Sequence, residues 1–571
     1  MEDLVKRREH AKQRWASLKT SRQKGWDPHW QSIADNLLPR QSRFFTSARD
    51  SGGDRNQAII DSAGTRAIRT LSAGMMAGMT SPARPWFRLT LDDKDLAEAH
   101  AVKVWLEDCK NILLRIFNKS NTYNTLHAMY RELGGFGTAL SILQPNFERV
   151  IHHNPMTVGE YALGMNNEGF VDKVGREFEL TVEQAISWFG YDKVSRSTRS
   201  AYDTSSYNQI VTVTHLIEPN PEHDPRAAGR TKMAYRSCYW DAKEADTNHG
   251  LLSEGGYKRF RALAPRWDVL WGDTYGSSPG MEALGDLIQL QHQQSKKAKV
   301  IDYATDPPLQ VPTSLRNRDA DLLPGGVTYY DATHPNGGIR PSWEVRLDPA
   351  VLLEDIRDVR ERINAAFYAD MFLMIAQADK TMTATEVAER HEEKLLMLGP
   401  VLERLHNEML SPLVSLTFEA ALTAGILPPL PEELNGQNVE VEFVSMLAQA
   451  QKAIEVNSTD RLIGHIGMIA QGSGSPEVWD KFDHDKSVER YADQLGVSPD
   501  VIVSSEQVAL VRQQRAQQAQ AAQQAEMADK MAGAAQKLGT VQTGSQPGTN
   551  AGSDLINLFS GYGSPSSTEL G

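Results

Sequence analysis

Between residues 6 and 38 large apolar side chains recur at helical spacing: Trp15, Leu18, Trp26, Trp30, Ile33 and Leu37, with Pro39 as the stop. This predicts one long amphipathic helix that opens the chain. The polar run 46–55 reads as a loop. A small, apolar stretch from Ala58 to Met79 follows, carrying Gly64, Gly74 and Gly78, and predicts a helix packed closely on a neighbour, ended by Pro82 and Pro85. Asp95 to Lys119 and Thr122 to Leu133 have the period of two further helices. From Thr138 to Trp271 the period shortens, and runs such as Ile210 to Ile217 and Met233 to Trp240 predict β-strands.

After Pro279 the pattern is helical again, from Gly280 to about Asp302. A turn-rich excursion through Pro324-Gly325-Gly326 and Asn336-Gly337-Gly338 comes next, then a second helix from Pro349 to about Tyr368. That second helix carries a single apolar stripe, Leu352, Ile356, Val359, Ile363 and Phe367, on a charged surface, so it packs on one partner face. The first has almost no stripe in its second half, where Gln289, Gln291, His292, Gln293, Gln294 and Ser295 stand. Such a helix bridges or lines something wet.

Thr383 and Glu386 form a capping box before a long helix with a seam of Leu395, Leu398, Leu402, Leu405 and Met409, which Pro412 bends or ends. Val439 to Val444 reads as a strand, and further helices run to about Leu495. From Glu506 to Lys537 the composition is mostly Gln and Ala, which favours a helix with a weak core face. Gly, Ser and Thr dominate the tail beyond it. The fold class is therefore α+β, mainly helical.

With 571 residues the chain exceeds the ~250–300 that one hydrophobic core supports, so several domains are expected. No apolar run approaches the ~20 residues that span a bilayer, which excludes a helical membrane protein. Basic residues such as Lys6, Arg7, Arg8, Lys12 and Arg14 open the chain without the apolar stretch of a signal peptide, so residence in the cytoplasm is expected. Two cysteines, Cys109 and Cys238, build neither a disulfide framework nor a metal cluster. A net charge of -13 disfavours a protein that grips nucleic acid. It is compatible with one past which nucleic acid slides.

Gly276-Ser277-Ser278-Pro279-Gly280 matches the G-x-S-x-G nucleophile elbow, but Pro279 lacks the backbone N–H that the elbow's oxyanion hole uses. No phosphate loop and no dinucleotide fingerprint occurs, so neither a cofactor nor a nucleotide-driven motor is indicated. The fifteen histidines are scattered, and His391-Glu392 lacks the second His of a zinc site. Asp92-Asp93-Lys94-Asp95, the nearest acidic cluster, stands at a helix start where carboxylates are favoured. Arg357, Arg360 and Arg362 alternate with Glu354, Asp355, Asp358 and Glu361. That suits ion pairing between subunits better than DNA contact. Lys296, Lys297 and Lys299 are one-sided and suit either phosphates or a solvated helix end.

The order of segments resembles the head-to-tail connector, or portal, family of short-tailed phages. The likeness is carried by Trp30 to Arg40, Trp271 to Asp286, Ala366 to Leu373 and Met382 to Glu389, and covers roughly residues 15–495. The resemblance implies a dodecameric ring at one capsid vertex with wing, stem, clip and crown around a DNA channel. Residues 1–279 would be wing, 280–302 and 349–369 the stem helices, and 303–348 the clip. A tunnel loop at 370–383, a wing helix at 384–435, a crown at 436–503, a helical barrel or a frayed helix at 504–538 and a disordered tail at 539–571 would follow. It further implies double-stranded DNA passing Gln377, Asp379, Lys380 and Thr381. Arg316, Arg318, Asp319 and Asp321 of the clip would meet the large terminase subunit and then a tail adaptor. Major capsid and scaffolding proteins would be the remaining partners, with no catalysis by this chain and residence in the virion. The rival readings are a nuclease or motor of the packaging machine, which would need clustered carboxylates or a phosphate loop, and a scaffold or tail-tube protein without the helix, clip and helix layout.

Overall fold

The computed structural model describes residues 2–41, 43, 59–91, 93, 96, 99–226, 229–242, 251–305, 309–310, 340–341, 349–376, 398–434, 439–442, 461–469, 471–472, 482–495, 501–503 and 505–539. The expected loop at 46–55, the acidic residues Asp92 and Asp95, the clip residues Arg316, Arg318, Asp319 and Asp321, the loop residues Gln377, Asp379, Lys380 and Thr381, the capping box at Thr383 and the tail from 540 lie outside them. Two compact units divide the chain between Glu455 and Val456.

The first unit opens with α1 (Glu2–Asn36), which begins four residues earlier than the apolar pattern shows. It covers one face of a five-stranded antiparallel sheet ordered β4 (Tyr161–Met165), β5 (Val171–Thr181), β6 (Ile210–Pro219), β7 (Tyr235–Asp241) and β8 (Ser253–Tyr257). Trp15 lies on Gly175, where a Cβ would meet its ring at 2.3 Å, and its indole N–H donates to Glu177 at 2.9 Å. Ala11, Trp15, Ala162, Leu216, Cys238 and Trp240 close that side. Two short helices cover the other face, α5 (Val182–Phe189), started by a capping box of Thr181 and Gln184, and α6 (Arg196–Asp203). There Phe189, Val194, Val213, Tyr239 and Leu252 are buried together.

The positive charges that open the chain are met by carboxylates of this sheet and its loops. Arg7 pairs with Glu254 at 2.9 Å and Glu222 at 3.2 Å, Arg14 with Glu218 at 3.4 Å, and Lys19 with Glu177 at 2.8 Å. The basic opening of the chain is thus a docking device for α1.

The larger core joins the end of α1 to α2 (Ala63–Met79), α3 (His100–Lys119) and α4 (Thr122–Phe136), over the small sheet of β3 (Val150–Met156), β2 (Leu140–Asn146) and β9 (Ala262–Leu263). Trp30 is fully buried, donates its indole N–H to the Phe136 carbonyl at 3.0 Å and meets Tyr275 edge-on. α4 ends on Gly137 with φ +75°, and a Cβ there would strike the Gly276 carbonyl, so only glycine fits. Of the α2 glycines, Gly64 and Gly74 make the close approaches expected of them, to Leu287 and Phe372. Gly78 has nothing within 4 Å and does not.

After Pro279–Glu282, a single turn, α7 (Leu284–Thr305) and α8 (Pro349–Ala366) bracket the strands β10 (Leu309–Gln310) and β11 (Arg340–Pro341), which pair antiparallel. α9 (Ala369–Ala376) follows. Pro412 does not end the next helix. α10 (Gly399–Leu405) passes through the π turn His406–Leu410 into α11 (Ser411–Thr423), and Pro412 stands just after the π turn, where the hydrogen-bond pattern already departs from i→i−4. β1 (Arg88–Leu91) pairs antiparallel with β12 (Val439–Glu442), 348 residues apart at Leu91 and Val439. The second unit contains α12 (His484–Leu495) and α13 (Ser505–Gly539), linked by a bidentate Arg512 to Asp485 pair at 2.6 and 2.7 Å.

Both cysteines are buried, and burial pushes each thiol up to about 12. Native protein at pH 8 should therefore leave both thiols unreacted with an aromatic disulfide reagent over an hour, while denatured protein releases two equivalents. Rapid reaction of the native chain would place one of them at the surface.

Candidate functional site: the clamped helix pair

The apolar stripe of α8 is realised as expected. Ile356 is 1% exposed, Val359, Ile363 and Phe367 are fully buried, and Leu352 is partly so. α7 contributes Leu287 and Leu290, both fully buried. The two helices run antiparallel, because Arg362 meets Asp286 at 3.3 Å and Gln293 meets Asp355 further along.

The polar stretch of α7 is partly wet and partly bridging: Gln289 and His292 are exposed and Gln294 and Ser295 half-buried. Gln291 and Gln293 are buried at 8% and 9% exposure; Gln291 bonds through both ends of its amide, whereas Gln293 donates to Asp355 and its oxygen has no partner. The Gln291 oxygen accepts from the backbone N–H groups of Ile60 and Asp61 at 2.7 and 2.8 Å, and its amide donates to the Asp61 carbonyl at 3.0 Å. A glutamine supplies both a donor and an acceptor, so it can satisfy an extended backbone segment that no strand covers.

Asp61 is the hub. Its Oδ1 accepts from the Ala63 N–H at 2.9 Å and so starts α2, while its Oδ2 accepts from Gln294 at 2.7 Å and from Arg360 Nε and Nη2 at 3.0 and 2.7 Å. Burial raises the carboxyl's pKa, and Arg360, the Ala63 N–H and Gln294 outweigh it, so Asp61 stays below the usual carboxylate range. One buried carboxylate thus ties α2, α7 and α8 together. Sequence reading missed Asp61. Its available signal was an Asp two residues ahead of the first helical residue, Ala63.

Of the expected helix cations, Arg360 is committed to Asp61 and Arg357 faces Glu361 at 3.7 Å, with both of that pair's side chains about 70% exposed. Arg362 spans Asp286 and Asp358. These pairs form within one chain; the expected pairing between subunits concerns a second copy, which a single chain does not contain. Lys296 and Lys299 are exposed and Lys297 half-buried. Past Lys296 the pair carries apolar residues that are exposed among the described residues: Ile301 at 50%, Tyr303 at 52%, Val351 at 66% and Leu353 at 48%.

The catalytic readings find little chemistry. Ser278 is 2% exposed, donates its hydroxyl to the Gly135 carbonyl at 2.8 Å and accepts from the Met281 N–H at 3.1 Å, which makes it a helix cap. Ser237 and His215 lie 2.9 Å apart, but Arg176 Nε donates to His215 Nδ1 at 3.1 Å. The proton of the neutral imidazole therefore sits on Nε2 and points at Ser237, the wrong tautomer for a base. Burial and then Arg176 hold that imidazole well below its ordinary pKa. Among the described residues no three metal-ligating side chains cluster, and no helix is long and apolar enough to cross a membrane.

Residues 8–503 match the family described as bacteriophage head to tail connecting protein. A relative named "Probable portal protein", of Bordetella phage BPP-1, is 54% identical over 550 residues, covering 96% of this chain and 98% of its own. The "Portal protein" of Salmonella phage epsilon15 is 41% identical over 530 residues, covering 92% and 94%. Among solved structures, a chain of the "Neck of empty GTA particle computed with C6 symmetry" has 11% identity and a TM-score of 0.34, covering 76% of this chain and 90% of that one. A chain of the "Neck of native GTA particle computed with C12 symmetry" has 12% identity and a TM-score of 0.34, covering 76% and 93%. The chain belongs to the bacteriophage head to tail connecting protein family. Its role is that of a portal protein, a component of the virion at the head–tail connection.

Breaking the clamp has a definite cost. Asp61→Asn should lower stability by ~1–3 kcal/mol, since it strands Arg360, which is only partly exposed. Asp61 has a depressed pKa in the folded chain, so its contribution is present above the unfolded carboxylate value and is lost as pH falls through the folded one. Denaturant titrations should find wild type and Asp61→Asn converging below about pH 4 and separated at neutral pH.

Proposed function

We propose that twelve copies of the chain close into a ring at one capsid vertex and pass double-stranded DNA through its axis during packaging and ejection, without catalysing a reaction. The uncovered apolar residues on the projecting half of the helix pair carry this reading. Ile301, Tyr303, Val351 and Leu353 stand on two adjacent helices, beyond the point where the chain's own core ends. Large exposed apolar side chains on two otherwise polar and charged helices suit a protein contact, and neighbouring copies supply one.

In this reading α7 and α8 are the stem, residues 303–348 the clip, with α7 running on into it as far as Thr305, and 370–383 the segment that carries a loop at the channel after α9 ends at Ala376, with Lys380 repeating as a circle of cations. The clip, with Arg316, Arg318, Asp319 and Asp321, receives the large terminase subunit and later a tail adaptor. Capsid and scaffolding proteins meet the wing, and assembly takes place in the host cytoplasm. α13 either extends a helical barrel or stands as a helix with little core face. Electrostatics supports passage over capture. α7 has 22 residues and is ~33 Å long, facing ~20 phosphate charges of duplex. Its cations are few, and those of α8 are neutralised by carboxylates of the same chain.

Two measurements test this. Electron microscopy of the purified protein should show rings with a central hole, and Val351→Glu with Leu353→Glu should leave the circular dichroism of the fold unchanged while shifting native mass from ring to monomer. Rings of unchanged mass would remove this face from assembly. Lys380→Glu should leave rings intact and shorten the retained genome, more so at low salt, where phosphate contacts are least screened. Full-length genomes at both salts would take Lys380 away from the channel.

A further inference from the structure

Thr157 joins two oxygens with one hydroxyl hydrogen. Its Oγ1 lies in hydrogen-bond contact with the Gln41 carbonyl and 2.9 Å from Glu132 Oε1. A carbonyl only accepts, so the Thr157 hydrogen goes to Gln41, and a hydrogen between Thr157 and Glu132 has to come from Glu132. Glu132 itself is 5% exposed, and its Oε2 has no hydrogen-bond partner. A buried carboxylate with one oxygen bare is costly, whereas a carboxylic acid that donates through Oε1 leaves only a bare carbonyl oxygen.

We infer that Glu132 is a neutral carboxylic acid whose proton runs through Thr157 to the Gln41 carbonyl, locking α4 to the turn after α1 and to the β3–β4 connection, and that its ionisation unlocks this joint. The charged surroundings agree. Burial, and then the nearby Glu160 carboxylate, push Glu132 up to about 8, while the Thr157 hydroxyl, the Val158 N–H and Arg131 act the other way. Glu160 is engaged by Arg43 at 3.0 Å and by the Thr157 N–H at 3.1 Å, so neither of these is free to serve Glu132. Arg22 is occupied by the carbonyls of Gly159 and Tyr161 and by Asp27, and the Tyr161 hydroxyl by the Thr138 carbonyl. Ionised Glu132 would face the Glu160 carboxylate, with only the Val158 N–H and Arg131 to offset burial and that repulsion. The consequence falls on the segment from Gln41 to Arg43, which is pinned by Thr157, by the Val158 carbonyl that accepts from the Arg43 N–H at 3.1 Å, and by Glu160.

The sign follows from the raised value. Stability from this group is complete below the unfolded carboxylate pKa and is lost as pH rises through the folded one. Between about pH 6.5 and 8 the wild-type unfolding constant should grow about tenfold per pH unit more steeply than that of Glu132→Gln, whose amide keeps a donor and carries no charge. Difference infrared spectra of the full chain should show a protonated carboxylic C=O band at pH 7 that disappears by pH 10 and is missing in Glu132→Gln. Hydrogen exchange, corrected for intrinsic rate, should rise at alkaline pH in the peptides containing residues 38–43 and 157–161, and in the variant should stay level. If Glu132→Gln does not fold, the infrared titration of wild type decides alone. Absence of a protonated band at pH 7, or a variant with the wild-type pH slope, overturns the inference.

Discussion

A buried carboxylate cannot stand without partners, and Asp61 is placed where only three separate helices together can supply them. α2 gives the Ala63 N–H, α7 gives Gln294 and, through Gln291, satisfies the backbone on either side, and α8 gives Arg360. Hydrophobic burial alone would let α7 and α8 slide by a turn, because Leu, Ile and Val contacts are non-directional. The charged hydrogen bonds fix the register, and Gly64 allows Leu287 to reach α2 beside them. From that fixed root the helices extend past the core and leave Ile301 and Val351 exposed.

A second tie runs from the loops to the helix after residue 398. Arg266 binds Glu408 through both side chain and backbone, and also holds the carbonyls of Gly169 and Asp273. Glu408 sits within the π turn His406–Leu410, whose wider winding shifts the side-chain phase along α10 and α11. The two turns carrying the exposed Phe170 and Trp271 are thereby fixed to that helix.

Much was legible in the chain because period and composition are local. The stripe Ile356, Val359, Ile363 and Phe367 could only be a helix face that seeks a partner, and Trp15, Trp30 and Leu37 could only be anchors of one long helix. The proline after Ser278 removed the one catalytic motif before any geometry was needed. The segments around Trp30, Trp271, Ala366 and Met382 were specific enough in their order to point to the connector family. Which amides of α7 are buried was not legible, because a buried amide satisfied by backbone, such as Gln291, looks the same in sequence as an exposed one, such as Gln289.

The sequence by itself determined which stretches are helix and strand and which faces are apolar, since these follow from side-chain type at short spacing. Only the tertiary structure decided that Asp61, Gln291 and Arg360 meet, that Val439–Glu442 lies beside Arg88–Leu91, and that Glu132 shares its proton with Thr157. Those contacts join residues from about 25 to 350 positions apart. Their partners are chosen by how the core packs, and no local period records that choice.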